Sequence, residues 1–467
     1  MGEEQRSEMV ILKEQILSGK KNTFHIKPDM FEESKEYSDG YIKFLNACKT
    51  ERECVETTVE FLKENGFSMF DSAVGLPRNG KVIQNIKEKS LIAAVKGKRP
   101  LSEGLRIIAA HIDSPRLDLK PMPLYEKKDI GYLKTHYYGG IKKYQWVAIP
   151  LAMHGVIITK DGTTIKIVIG ENEGDPVFTI SDVLPHLSRK IQDNRTARDV
   201  IKGEELNIIF GSRPVEDKDI KEPIKLYLMK LLNDRYGIVE EDFISAEIEF
   251  VPSFKAGYVG LDESLIGGYA QDDRVCSYAA LKALVEVENP EYTTVLILAD
   301  KEETGSDGNT GLASDMLRNF VSIISKREDI DPEIVLANTK CISGDVAAGY
   351  DPTFSDVSEP MNAAYLNKGI SVERYTGAAG KSLTSEASAE FVAFIRNLLD
   401  NANIPWQANE MGKVDEGGGG TVAKFIARLG ADVIDMGVPV LSMHAPYEIT
   451  SRLDVYSLYK AYMEFFK

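Results

Sequence analysis

Residues 293–311 read TTVLILADKEETGSDGNTG, an apolar run of strand length that leads into a charged, glycine-containing loop. Such a run between polar segments predicts a strand that is buried on both faces. The following residues, 311–326, predict a helix, and buried strands alternate with helices again from about residue 258 to the end of the chain. This alternation predicts an α/β fold in which helices cover both faces of a mixed or parallel sheet.

The pattern changes between about residues 116 and 257. Short β-like segments at 146–160, 163–170 and 175–180 are separated by Gly, Asp and Asn turns, which predicts an antiparallel sheet. Polar helices are predicted near 184–195 and 222–236. We therefore expect an inserted β-rich domain at 116–257 that divides an α/β domain into the segments 1–115 and 258–467.

Composition narrows the classes of function. The chain has 467 residues, with 56 Lys and Arg against 72 Asp and Glu, a formal net charge of −16. This balance argues against a nucleic-acid-binding protein, which would need a basic face. The longest mostly apolar run, 147–158, is too short to cross a bilayer, and the acidic N-terminus does not resemble a signal peptide. We expect a cytoplasmic protein without nucleic-acid or membrane partners.

Potential metal ligands occur where predicted strands end. His111 ends the apolar run LRIIAAHID, and Asp113 lies two residues on, on the same face of an extended chain. Glu302 and Glu303 follow the predicted strand at 293–300, and two neighbouring carboxylates there repel each other unless a cation compensates. The alternatives are a hydrogen-bonded core histidine and a solvated acidic turn.

The same pattern recurs three more times. Asp272 precedes a predicted helix, Asp345 follows the apolar stretch at 340–343, and His444 follows VPVLSM. Helix capping would also explain Asp272. Carboxylates mixed with imidazoles suit Zn²⁺, Co²⁺ or Mn²⁺, and ligands bind open α/β sheets at the carboxyl ends of strands. Five such ligands predict two divalent ions that share one bridging carboxylate.

With these motifs in order along nearly the whole chain, the sequence resembles the aspartyl-aminopeptidase family of dinuclear metallo-aminopeptidases, and most closely its bacterial branch. The motifs that carry the resemblance are AAHIDSPRLDLKP, LPHLSRKIQDN, QDDRVCSYAALKAL, DKEETGS, SGD and LSMHAP. The resemblance implies a three-layer αβα zinc-peptidase catalytic domain with an inserted β-rich dimerisation domain. It also implies a homododecamer that is built from dimers.

The resemblance assigns a role to each candidate ligand. His111 and Asp345 would hold one ion, Glu303 and His444 would hold the other, and Asp272 would bridge the two. Asp113 would orient His111, and Glu302 would be the general base. His186 matches a histidine that reaches the active site of a neighbouring subunit.

The sequence departs from the family's better-known branch near the substrate. Ala348 and Asp351 stand where that branch has two histidines, and Arg374 stands where it has a specificity lysine. Arg374 or Lys381 could favour an acidic first residue, although Glu373 would oppose this.

The resulting hypothesis is a metal-dependent aminopeptidase that acts on peptides with a free N-terminus. Two alternatives remain, namely a carboxypeptidase or deacylase on the same metal scaffold, and a binding module without activity. The glycine-rich segment 415–422 predicts a tight active-site loop before a helix, because it lacks the Lys-Ser/Thr ending of a phosphate-binding loop.

Overall fold

The computed structural model describes residues 19–77 and 80–467 together with Met9, Leu12, Lys13, Ile16 and Leu17. Within these residues the α-helices, numbered α1 to α11, are Thr23–Ile26, Met30–Ala47, Glu51–Glu64, Pro185–Ser188, Pro223–Tyr236, Gln271–Glu286, Met316–Lys326, Pro332–Ala337, Ala389–Asn401, Ala423–Ala427 and Arg452–Phe466. The strands, numbered β1 to β20, are Ser68–Met69, Lys81–Ile86, Ser90–Val95, Leu105–His111, Arg116–Lys127, Ile130–Tyr138, Leu151–Ile158, Thr164–Ile169, Asn207–Gly211, Ala246–Pro252, Gly257–Val259, Leu265–Gly268, Thr293–Ala299, Lys340–Ser343, Ala347–Ala348, Ile370–Glu373, Trp406–Ala408, Asp432–Gly437, Pro439–Leu441 and Glu448–Ser451. None of the helices in this described part of the chain is both long and apolar enough to cross a membrane.

The largest sheet has nine strands in the order β1-β2-β3-β13-β4-β14-β18-β16-β17. Its centre is parallel, because β13 and β14 both pair with β4 in parallel and β18 continues beside β14. Side chains of β4 alternate between two cores, so that Ile107 packs with α7, α8 and α10 while Ile108 packs with α2, α6 and α11. Helices therefore cover both faces, and the predicted three-layer αβα fold is confirmed.

A second sheet contains six strands in the order β8-β7-β10-β5-β6-β9, and every neighbouring pair is antiparallel. Its separate core includes Trp146, which is fully buried, and side chains of α5. The helix predicted over 184–195 is limited to Pro185–Ser188. Beyond it, the Ser188 hydroxyl donates to Asp193 and the chain turns, a local side-chain bond that competes with helix.

A third sheet has five short strands in the order β11-β12-β20-β19-β15. The sequence analysis did not anticipate it as a separate sheet. Strand β12 leads into α6 through Tyr269 and Ala270, and β19 leads into the turn that contains His444. Two of the five predicted ligands, Asp272 and His444, therefore follow strands of this small sheet rather than strands of the main one.

Candidate metal centre

Three of the candidate ligands meet because their strands are neighbours. His111 is the last residue of β4, Asp345 lies two residues after β14, and Glu303 lies in the short 3-10 turn after β13. These strands are parallel and adjacent in the order β13-β4-β14, so their carboxyl ends share one edge of the sheet. The apolar runs that make the strands central thereby place polar side chains together at that edge.

Asp272 and His444 approach the same edge from the five-stranded sheet. The two carboxylate oxygens of Asp272 face different imidazoles: Oδ1 lies 3.0 Å from Nε2 of His111, and Oδ2 lies 3.2 Å from Nε2 of His444. Nε2 of His444 also lies 3.4 Å from Oε2 of Glu303. Four of the five candidate ligands therefore surround a single location, with the Asp272 carboxylate between the two histidines, and donor atoms of Asp345 and Asp272 lie within 4.8 Å of each other.

The donor atoms form two groups that overlap at Asp272. One group contains His111, Asp272 and Glu303, the other contains Asp272, Asp273 and Asp345, and within each group the atoms lie within 4.8 Å of one another. The sequence analysis left Asp273 out of the ligand set. One oxygen of Asp273, Oδ1, and one of Glu303, Oε1, are buried without a hydrogen-bond partner among the described residues.

These residues fit a zinc centre. Two ligands on one tetrahedral zinc ion are about 3.3 Å apart, as follows from bonds of about 2.0–2.2 Å. The separations of 3.0 to 3.4 Å around Asp272 are close to this value. Burial, with a smaller contribution from the charge of Asp272, raises the pKa of both Glu303 and Asp345. Cations at this site would offset the cost of burying these charged carboxylates and would satisfy the unpartnered oxygens.

Both histidines are oriented through their other ring nitrogen. Nδ1 of His111 lies 3.0 Å from the carbonyl oxygen of Asp113, and Nδ1 of His444 lies 2.9 Å from the carbonyl oxygen of Gly140. A carbonyl oxygen only accepts, so each Nδ1 carries the proton and each Nε2 directs a lone pair into the centre when the imidazole is neutral. Gly140 follows β6, so the six-stranded sheet contributes to the centre.

The carboxylate of Asp113 holds the turn that carries the paired glutamates. It accepts hydrogen bonds from the backbone N–H groups of Glu302, at 3.1 Å, and Glu303, at 3.2 Å. It also accepts one from the hydroxyl of Tyr138, at 2.7 Å, and lies 3.4 Å from Nδ1 of His111. Asp113 thus connects His111 to both glutamates, whereas the sequence analysis expected it only to orient His111.

Glu448 is a functional candidate that the sequence analysis missed. It is buried at the start of β20, where its carboxylate accepts hydrogen bonds from the backbone N–H of His444, at 2.6 Å, and of Asp272, at 3.1 Å. The only signal in the sequence is an acidic residue in an otherwise strand-like segment, EITS. Tyr138 was missed as well, because nothing in the sequence places it beside Asp113.

Glu302 lines a cavity beside the metal centre together with Asp272, Asp345 and His444. Burial raises the pKa of Glu302 to about 7, although the neighbouring His111 acts in the opposite direction. A carboxylate with such a pKa can accept a proton from water and return it near neutral pH.

The remaining predicted residues lie outside this cavity. His186 is exposed on α4, in the part of the chain that forms the six-stranded sheet. Arg374 and Lys381 are half exposed, and each lies 3.1 Å from the same carboxylate oxygen of Glu386. None of these three side chains is among the residues that line the cavity.

Comparison with known proteins identifies the family. The family model described as aminopeptidase I zinc metalloprotease (M18) matches residues 44–466. The probable M18 family aminopeptidase 1 of Clostridium acetobutylicum is 46% identical over 435 residues, which are 91% of this chain and 93% of that protein. The crystal structure of an M18 family aminopeptidase from Thermotoga maritima covers 97% of this chain and 100% of its own, at 45% identity and a TM-score of 0.92. An S. cerevisiae mApe1 dodecamer shares the fold at a TM-score of 0.74 and 21% identity, over 92% of this chain and 96% of its own. The chain therefore belongs to the M18 family of aminopeptidase I zinc metalloproteases, and it is a metallo-aminopeptidase.

Proposed function

We propose that this aminopeptidase removes the first residue of peptides at a centre of two divalent ions. His111 and Asp345 would hold one ion, Glu303 and His444 would hold the other, and Asp272 would be the ligand that the two ions share. The observation that carries the proposal is the position of Asp272, whose two carboxylate oxygens face different imidazoles.

When bound, zinc, or cobalt or manganese in its place, supplies polarisation of the scissile carbonyl and a lowered pKa of the attacking water. Glu302 is the general base in this proposal: its carboxylate accepts a proton from the attacking water and then delivers it to the leaving amine. Asp113 is a positioning residue, because it holds the backbone of Glu302 and Glu303 by hydrogen bonds. The nearby carboxylates can pair with the free α-amino group of the peptide, which restricts cleavage to the first residue.

A preference for acidic first residues is not part of this proposal. Such a preference requires Arg374 or Lys381 to face the substrate, and both side chains pair with Glu386 instead. The long-range field of a chain with a net charge of −16 also disfavours acidic peptides.

We also propose that the chain assembles as a homododecamer of dimers, with residues 116–257 as the dimerisation domain and the segments 1–115 and 258–467 as the catalytic domain. The S. cerevisiae relative named above is a dodecamer. Leu184, Leu187 and Ile191, around the exposed His186, are 50%, 65% and 49% exposed, an apolar surface that a second subunit would cover. His186 then reaches the active site of a neighbouring subunit. Sedimentation of the purified protein as a monomer would contradict this assembly.

Substitution of Glu302 by glutamine tests the mechanism. Glutamine keeps the shape of the side chain but cannot accept the proton, so kcat should fall by about 10²–10⁴-fold while zinc content is retained. Glu64→Gln, an exposed carboxylate at the end of α3, is the control and should leave kcat unchanged. Near-wild-type turnover by Glu302→Gln would exclude it as the base. Cleavage of N-acetylated peptides at the rate of free ones would instead favour a carboxypeptidase or deacylase.

A further inference from the structure

The cavity beside the metal centre continues away from it as a pocket of ≈ 220 Å³. One wall is formed by the metal-site residues, and another by Met411 and the glycine-rich loop, Gly418 to Gly420, that precedes α10. Glu373 of β16 and Asp435 of β18 also line this pocket. The first residue of a bound peptide would enter this space if its scissile carbonyl lies at the metal centre.

Glu373 and Asp435 are paired across the antiparallel strands β16 and β18, and they are 5% and 4% exposed. Asn409 donates a hydrogen bond to Oε1 of Glu373, and the Thr421 hydroxyl donates to Oδ1 of Asp435 at 2.7 Å. The other oxygen of Glu373, Oε2, receives no hydrogen bond from any residue that the structure describes. Nor does a lysine, arginine or histidine of that part of the chain form an ion pair with either carboxylate. A buried carboxylate without a cationic partner is costly, and it takes up a proton unless a bound cation supplies the counter-charge.

The position of Glu373 in the sheet suits contact with the side chain of the peptide's first residue rather than with its α-amino group. Strand β16 lies two strands beyond β14, which leads to Asp345, so their backbones are about 10 Å apart at the usual strand spacing. The α-amino group is adjacent to the reacting carbonyl and stays near the metal centre. A long first side chain would cover the distance to Glu373.

Resting on the function proposed above, we propose that Glu373, together with Asp435, selects peptides whose first residue is cationic, lysine or arginine. The ammonium or guanidinium group pairs with Oε2 of Glu373, while its alkyl chain lies against Met411 and Met443, which line the pocket. An acidic first residue would add a third carboxylate without a cation. Burial raises the pKa of Glu373 to about 8 and that of Asp435 to about 6, as expected for carboxylates that lack a cationic partner.

The neighbouring Arg374 does not cancel this charge. Its Nε donates to the carbonyl oxygen of Ala387, at 3.1 Å, and it pairs with Glu386. Glu373 is the last residue of β16 and lines the pocket, whereas Arg374 lies beyond the strand and is not among the residues that line the pocket.

Lysyl and norleucyl p-nitroanilides test the assignment, because norleucine has the same unbranched chain length without the ammonium group. With the zinc-loaded enzyme, kcat/KM for the lysyl substrate should exceed that for the norleucyl substrate by about tenfold or more, the value of a hydrogen bond to a charged group. The glutamyl substrate should be the poorest. Glu373→Gln should reduce the lysyl-to-norleucyl ratio by about tenfold. The control variant Glu390→Gln, an exposed carboxylate in the first turn of α9, should keep the wild-type ratio.

Equal rates on lysyl and norleucyl substrates, or a preference for glutamyl, would overturn the assignment. So would a variant Glu373→Gln that loses activity equally on all three substrates, because Glu373 would then hold the common α-amino group. Calorimetric binding of lysinamide and norleucinamide separates this inference from the proposed function. If no substrate is cleaved, the proposed function fails, yet tighter binding of lysinamide still supports the pocket and equal binding overturns it.

Discussion

Replacement of Glu448 by alanine should weaken zinc binding, although Glu448 is not one of the proposed ligands. Its carboxylate accepts the backbone N–H groups of His444, at 2.6 Å, and Asp272, at 3.1 Å, and the residue is 1% exposed. Each buried N–H that loses its acceptor costs about 1–3 kcal/mol, or about 2–6 kcal/mol for the two. Because both N–H groups belong to residues that carry donor atoms, part of this cost should appear as misplacement of those donors. Loss of such supporting contacts typically reduces metal affinity by about 10–100-fold.

Asp454→Ala provides a matched control. Asp454 is another buried carboxylate that accepts two backbone N–H groups, those of Asn367, at 2.7 Å, and Gly369, at 2.8 Å, neither of which is a proposed ligand. Both variants should lower the Tm of the metal-free protein. Only Glu448→Ala should lower zinc affinity, measured by competition with a chromophoric chelator. Equal zinc affinities of the two variants would refute the positioning argument.

Two further variants test other contacts of the structure. Tyr138→Phe removes the hydroxyl that donates a hydrogen bond to Asp113 at 2.7 Å. In steady-state assays kcat should fall by about tenfold with little change in KM. An unchanged kcat would show that this hydrogen bond is dispensable. His154 lies 2.8 Å from Glu53 and 3.1 Å from Glu171; burial lowers its pKa, but these hydrogen bonds outweigh burial and raise it above 6.5. The charge on His154 therefore stabilises the fold fully below pH 6.5, and this stabilisation is lost as the pH rises through the folded-state pKa. The pKa values of Glu53 and Glu171 are lowered from 4.5, so their charges stabilise the fold above pH 4.5, and this stabilisation is lost as the pH falls. The Tm difference between wild type and His154→Gln should accordingly be largest between pH 4.5 and 6.5, and a difference that does not vary with pH would contradict this account.

The apolar runs of the sequence were sufficient to predict the main sheet and three of the candidate ligands. Residues 105–111, 293–299 and 340–343 are continuous buried strands, and parallel neighbours must end at a common edge. That rule predicts that His111, the pair Glu302 and Glu303, and Asp345 lie near one another, whereas the resemblance to the family distinguishes Glu303 as a ligand from Glu302 as the base. The motifs were also specific enough for the family to be recognised, and the comparison confirmed it.

The sequence by itself determined the αβα layers and the family, and it predicted five of the residues that the structure brings together at the candidate metal centre. Only the tertiary structure showed that Asp272 and His444 reach the site from segments that follow strands of a separate five-stranded sheet, and that Glu448 accepts hydrogen bonds from both. Those contacts join residues that are up to 176 positions apart, and no local pattern encodes them. The different positions of the Glu373 and Arg374 side chains relative to the pocket are likewise decided by tertiary contacts. The pairing of β16 with β18 places Glu373 beside Asp435 at the pocket, whereas Arg374 lies beyond the strand and pairs with Glu386.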